Sequence, residues 1–201
     1  MTGEELLAAL APRPLLPVLR AASAEEALTV ARRLADAGLP VVELTATTPG
    51  WEQALAALRA QRPDLVVGMG TMSTADDAER AVAAGAQFLV SPYPVPAVRP
   101  VAARTGMAFL EGACTPAELA DAVGRGPAKL FPAHLGGPSY LRSVLAVLPG
   151  ARIVPTGGIG LGEVAEWLAA GAVAVGVGSD LTAPGDVVER VRGALAAARP
   201  A

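Results

Sequence analysis

The chain has 201 residues, 52 % of them hydrophobic, 17 % charged and 3 % aromatic, with a formal net charge of −3. A chain of this length buries roughly 70 % of its unfolded surface around a core of its own. No uncharged apolar run of about 18 residues occurs, which excludes a membrane-spanning helix, and few aromatics with no basic cluster argue against a nucleic-acid partner.

The opening MTGEELLAAL has Glu4 and Glu5 where an export signal would be basic. A single cysteine, Cys114, excludes an internal disulfide, and a single histidine, His134, leaves too few ligands for a zinc site. Together these features point to the cytoplasm. The chain shows no linker or low-complexity tract, so residues 1–201 are expected to form one domain.

In chain order, EELLAAL (4–10) has the pattern of a short helix. Eight apolar runs follow: LLPVLR (15–20), PVVELTA (40–46), LVVGMGT (65–71), QFLVSP (87–92), AFLEGAC (108–114), AKLFPA (128–133), RIVPTGG (152–158) and AVAVGVGS (172–179). Each is apolar on successive residues, as in parallel strands covered on both faces. Amphipathic stretches lie between them, such as SAEEALTVARRLADAG (23–38) and TADDAERAVAAGA (74–86). Ser23 and Thr74 are the expected N-caps, and Gly38 and Gly85 the expected helix stops. The pattern is a βα repeat with short loops.

Eight such units in this length predict an α/β fold, a compact TIM (β/α)8 barrel with residues 4–10 as an extra N-terminal helix across its bottom. A doubly wound open sheet is the alternative. Eight strands and glycines after the seventh and eighth favour the barrel.

Chemistry in a barrel sits at the C-terminal strand ends. The tips read Arg20; Glu43 and Thr45; Gly70 and Thr71; Ser91 and Pro92; Glu111 and Cys114; Lys129; Thr156, Gly157 and Gly158; Gly178 and Ser179. Lys129 is the only lysine among sixteen Lys and Arg residues, and it lies within an apolar run. Glu43 is likewise a charge inside an apolar strand. Burying a lone charge is costly and usually shifts its pKa. A buried lysine that is partly neutral attacks carbonyls, and a facing glutamate moves protons. The alternative is a structural ion pair.

PTGGIG and GVGSDL at adjacent tips suit a phosphate, because glycine lets backbone N–H groups come close; tight βα turns are the plainer reading. Arg20 is a candidate contact for phosphate or carboxylate, against a simple surface arginine. His134 reads as a solvated loop residue and Cys114 as a small core residue. Glu111 either lines the pocket or faces a helix.

PVLRA, VVELT, GMGT, GAQFLVSP, AKLFPA, PTGGI and GVGSDL occur in the order and spacing of a known family. From about residue 15 to 195 the chain resembles the 2-keto-3-deoxy-6-phosphogluconate / 2-keto-3-deoxy-6-phosphogalactonate (KDPG/KDPGal) aldolases, class I aldolases on a trimeric TIM barrel. The resemblance implies an aldehyde-lyase that cleaves the phosphorylated 2-keto acid to pyruvate and glyceraldehyde 3-phosphate. It implies that Lys129 forms the Schiff base and that Glu43 is the general acid/base through a water. Thr71 would hold the carboxylate end of pyruvate. Gly157, Gly158 and Ser179 would bind phosphate, and Arg20 would contact substrate. No metal or organic cofactor is implied, and a homotrimer is.

The phosphogluconate enzymes usually carry Glu-x-Thr-x-Arg-Thr on strand 2, whereas here Thr47 takes the arginine position. Thr48-Pro49-Gly50-Trp51-Glu52, GACT and GGPSYLRSVLAVLP resemble the phosphogalactonate branch, while FPAHLGG and PTGGI resemble the other. Two further readings stand beside this one. The first is a pyruvate aldolase acting on 4-hydroxy-2-oxoglutarate or other 2-keto acids. The second is a phosphate-binding barrel, either an isomerase or epimerase using Glu43 as base or a non-catalytic phosphosugar binder.

Overall fold

The computed structural model describes residues 1–182 and 186–197. Its framework is a curled parallel sheet wrapped by helices. The strands are β1 (Leu15–Leu19), β2 (Val41–Thr45), β3 (Val66–Gly70), β4 (Phe88–Val90), β5 (Ala108–Leu110), β6 (Gly112–Ala113), β7 (Ala128–Leu130), β8 (Ile153–Pro155) and β9 (Val175–Val177). Six form one sheet in the order β5-β4-β3-β2-β1-β9, and three form another in the order β6-β7-β8. Every pairing is parallel, with Val18 opposite Glu43, Glu43 opposite Gly68, and Gly112 opposite Lys129. All eight apolar runs of the sequence contain strand.

The fifth run differs by being split at Glu111. Its side chain turns outward, while its carbonyl still accepts from the Lys129 N–H at 3.0 Å. Gly112 then passes so close to the Ser91–Pro92 backbone that any Cβ would overlap it. Ser91 braces the crossing: its hydroxyl accepts from the Gly112 N–H at 3.0 Å and donates to the Tyr93 carbonyl at 2.7 Å.

The helices begin and end where the sequence directs. Ser23 caps α2 (Ala24–Asp36) by accepting from the Glu26 N–H, and Thr74 caps α4 (Ala75–Ala83) by accepting from the Asp77 N–H. Gly38 and Gly85 follow these helices with φ of 89° and 98°, the left-handed turn glycine makes at least cost. The others are α1 (Gly3–Leu10), α3 (Trp51–Gln61), α5 (Arg99–Thr105), α6 (Pro116–Val123), α7 (Gly137–Val147), α8 (Val164–Ala169), α9 (Ser179–Thr182) and α10 (Val187–Ala197). Among the described residues no helix is long and apolar enough to cross a membrane.

Strand side chains alternate between two cores. Leu15, Leu19, Val42, Leu44, Val67, Met69, Leu89, Ala128, Leu130, Ile153, Val175 and Val177 face the helices. Leu16, Val41, Phe88, Val90, Ala108, Leu110, Val154 and Ala174 fill the concave side, joined by Leu6 and Leu10 of α1. The N-terminal helix thus fills the end of the concave core where the strands begin. Glu43 and Lys129 lie in the same alternation as Val41 and Val154, so both point to the concave side, nearer the C-terminal strand ends.

Candidate active site

A cavity of about 440 Å³ opens at those ends. It is lined by Val18, Arg20, Glu43, Thr45, Thr71, Pro92, Lys129, Phe131, Thr156, Gly157, Gly158, Gly178 and Ser179. All seven site residues expected from sequence border it. A second cavity, of about 480 Å³, lies at the opposite end beside Thr2, Gly106, Pro127 and Arg152. Of its charged groups, Glu4 pairs with Arg152 and Glu111 with Arg99 and Arg125. These charges are therefore bound up in ion pairs at that end.

Lys129 Nζ lies 3.7 Å from Glu43 Oε1, with side-chain exposures of 7 % and 1 %. That separation is too long for a hydrogen bond. Among the described residues neither Glu43 oxygen has a hydrogen-bond partner. Burial pushes the Glu43 carboxyl above the usual carboxylate range, and the Lys129 ammonium, then Arg20, oppose that rise. A buried carboxylate with both oxygens free is poised to accept a proton from a water or a substrate hydroxyl. Lys129 Nζ also sits 5.2 Å from the centroid of the Phe131 ring, which flanks the amine with an apolar face.

Glycines make this room. A Cβ at Gly70 would occupy the position of the Glu43 carboxylate, and one at Gly176 would strike the Thr156 hydroxyl. Thr71 follows Gly70 with φ of 63°. The left-handed region is uncommon for a β-branched residue and costs on the order of 1–3 kcal/mol, and such strain concentrates at functional sites. The backbone here is held against its preference at the wall of the cavity.

On the adjacent wall, Thr45 donates its hydroxyl to the Leu19 carbonyl at 3.1 Å and lies 3.0 Å from the Thr47 hydroxyl. Thr48 accepts from the Ala21 N–H at 3.1 Å. These threonines tie the β2 turn to the chain on both sides of Arg20, which is exposed at the rim. Gly157 and Gly158, with φ of 94° and 70°, line the same cavity, as does Ser179 at the start of α9, just after β9, the strand paired with β1.

Sequence reasoning placed Thr45, Pro92, Thr156 and Gly178 at strand tips without giving them a role, and it missed Val18 and Phe131. Period-two alternation would have found Phe131, which is two residues after Lys129. Glu111 faces outward. It accepts from the Val95 N–H at 2.8 Å, from Arg99 Nε at 3.0 Å and from Arg125 Nη2 at 2.8 Å. Cys114 is only partly buried; its carbonyl accepts from the Tyr140 hydroxyl at 2.5 Å.

A family model described as KDPG and KHG aldolase matches residues 7–191. A probable 2-dehydro-3-deoxy-6-phosphogalactonate aldolase of Rhizobium meliloti (strain 1021) is 35 % identical, over 92 % of this chain and 91 % of its own. A 2-dehydro-3-deoxy-phosphogluconate aldolase of Treponema pallidum (strain Nichols) is 37 % identical, over 77 % and 75 %. Among solved structures, a KDPG aldolase from Legionella pneumophila, with pyruvate captured as a covalent carbinolamine, superposes with a TM-score of 0.80. It is 30 % identical and the match covers 95 % of this chain and 94 % of that one.

Proposed function

This chain belongs to the KDPG and KHG aldolase family, and from that premise we propose that it cleaves 2-keto-3-deoxy-6-phosphogluconate or its galactonate epimer through a Schiff base on Lys129. The observation that carries the reading is the buried pair on the concave face, an amine 3.7 Å from a carboxylate whose oxygens lack hydrogen-bond partners among the described residues.

The neutral amine of Lys129 attacks the C2 carbonyl of the keto acid. The carbinolamine loses water and leaves an iminium. Glu43, directly or through a water, takes the proton of the C4 hydroxyl, and the C3–C4 bond breaks with its electron pair moving toward the iminium nitrogen. Glyceraldehyde 3-phosphate leaves and an enamine remains. Protonation at C3 and hydrolysis release pyruvate and return the free amine. In this scheme Thr71 holds the carboxylate of the keto acid. Gly157, Gly158 and Ser179 receive the phosphate, and Arg20 adds a charged contact at the rim. The glycine turn and Ser179 share one rim of the cavity, which supports placing the phosphate there.

The mechanism routes no step through a metal or organic cofactor. The chain acts as one domain, and its sheet is a closed (β/α)8 barrel with α1 across the bottom. Two contacts support closure between β8 and β9: the Thr156–Gly176 bridge and the Val173 N–H bonded to the Ile153 carbonyl at 3.1 Å. The backbone bond from Lys129 to Glu111 supports continuity across β5 and β6. The assembly is a homotrimer in the cytoplasm, a reading supported by the family and by exposed Tyr93 and Leu135.

Borohydride reduction in the presence of pyruvate tests the reading. A stable adduct on Lys129, mapped by mass spectrometry, is expected. Its absence, with the protein folded and pyruvate saturating, would remove the assignment.

A further inference from the structure

The histidine expected to be a solvated loop residue grips the glycine turn. His134 lies in the loop after β7, five residues beyond Lys129. Its backbone N–H donates to the Gly157 carbonyl at 3.1 Å, and its ring Nδ1 lies 3.2 Å from that same oxygen. A carbonyl oxygen only accepts, so Nδ1 carries the proton in this contact. The ring also covers Gly158: a Cβ there would fall 2.5 Å from His134 Cγ and Nδ1. One residue earlier the Ala133 N–H donates to the Thr156 carbonyl at 2.9 Å. Residues 133 and 134 therefore clasp 156–158 through three hydrogen bonds and one ring face, and the only side-chain bond among them is from His134.

We propose that His134 is a positioning residue, which fixes the orientation of the Gly157–Gly158 turn and its distance from the Lys129 amine. Both glycines have positive φ, with no side chain to hold the turn, so an outside contact has to set its orientation. Lys129 and His134 leave β7 on one short segment. The clasp thus couples the amine that captures the carbonyl carbon to the turn that receives the far end of the substrate. This inference rests on the reading of the turn as the phosphate end.

The test runs the reaction in the condensation direction, pyruvate with D-glyceraldehyde 3-phosphate or with unphosphorylated D-glyceraldehyde. Wild type, His134→Ala and His134→Asn are compared. His134 is exposed, so the alanine variant is expected to fold, which its melting temperature checks. For His134→Ala, KM for the phosphorylated aldehyde rises about three- to ten-fold, the worth of one hydrogen bond. Its kcat changes little, and the unphosphorylated aldehyde serves as the internal control. His134→Asn restores the wild-type KM, because its amide nitrogen takes the place of Nδ1.

Equal losses with both aldehydes, or no loss in His134→Ala, would overturn the positioning role. So would failure of the asparagine to rescue. If wild type itself does not prefer the phosphorylated aldehyde, the phosphate reading of the turn fails, and the role of His134 falls with it.

Discussion

Gly70 and Glu43 occupy adjoining space on neighbouring strands so tightly that the glycine hydrogen is all the room permits: a Cβ at 70 would overlap Glu43 Oε1 and come within 2.6 Å of its Cδ. The φ of Gly70 is not in the left-handed region, so the need for glycine here is steric rather than conformational. Gly70→Ala is expected to push the carboxylate away from Lys129 while the strand pairing persists. Overpacking of this kind costs about 1–3 kcal/mol of stability. The loss of kcat should be larger, on the order of a hundred-fold, because a misplaced catalytic group costs about that much. Steady-state rates beside thermal melts separate the two effects, and an active Gly70→Ala enzyme would count against Glu43 as the proton carrier.

The pH behaviour of Glu43 has a definite sign. Burial is the largest influence on its carboxyl and raises its pKa, while the Lys129 ammonium is the largest one lowering it. Removing that ammonium in Lys129→Met should therefore raise the pKa further, which carbon NMR of the Glu43 carboxyl would follow. On the proposed mechanism the wild type needs the carboxylate form to take the C4 hydroxyl proton. Cleavage should fall as pH drops through a pKa lying above the ordinary glutamate value of about 4.3. The linkage to stability runs the opposite way: a raised carboxyl pKa means the folded state holds its proton more tightly than the unfolded chain. Stability from this group is full below the unfolded pKa and declines as pH rises through the folded one.

Lys129→Arg keeps a cation beside Glu43 but removes the chemistry. A guanidinium stays protonated and does not condense with a ketone. Cleavage should be abolished to the background of the assay, and pyruvate with borohydride should leave no adduct. Residual cleavage at more than about a thousandth of wild type would point to electrostatic rather than covalent work by Lys129. That outcome would favour an isomerase-like use of Glu43.

Much of this is legible in the sequence. The strands announced themselves because both of their faces are covered, which leaves unbroken apolar runs. Ser23, Thr74, Gly38 and Gly85 mark helix ends through local chemistry, which needs no knowledge of the fold. Lys129 and Glu43 stood out for the same reason: a charge within an apolar strand has few explanations. What sequence hid was set by neighbours distant in the chain. Gly70 is only a strand-tip residue in the sequence until Glu43 is seen beside it. The left-handed backbone of Thr71 contradicts the preference of its own side chain, so local reasoning points away from it. The grip of His134 on Gly157 spans 23 residues. The outward turn of Glu111 depends on Arg99 and Arg125, which lie on other segments.

Thr47 raises the question of substrate configuration. It is exposed, and its hydroxyl lies 3.0 Å from that of Thr45, which borders the cavity. An arginine at 47 would bring a second guanidinium to the rim that carries Arg20. If a carboxylate or phosphate binds on this side, Thr47→Arg should tighten KM for acidic substrates several-fold at low salt, with the gain shrinking as ionic strength rises. Comparing kcat/KM for the gluconate- and galactonate-type substrates in both enzymes shows whether this position discriminates. A ratio unchanged by the substitution would move the choice of configuration elsewhere on the cavity wall.

Glu111 supplies a contrast, a buried carboxylate whose work is structural. Its oxygens accept from the Val95 N–H, Arg99 and Arg125, which ties the segment after β4 to α5 and to the end of α6. Glu111→Gln replaces one acceptor oxygen by an NH2 group that must face a donor, whichever way the amide turns. Leaving a buried donor unsatisfied costs about 1–3 kcal/mol, more when the lost partner is charged. The melting temperature should fall accordingly, while kcat and KM of the folded enzyme stay near wild type because Glu111 points away from the Lys129 cavity. A variant of normal stability but lowered kcat would mean instead that the outer network sets the position of Lys129, through the backbone bond between the Glu111 carbonyl and the Lys129 N–H.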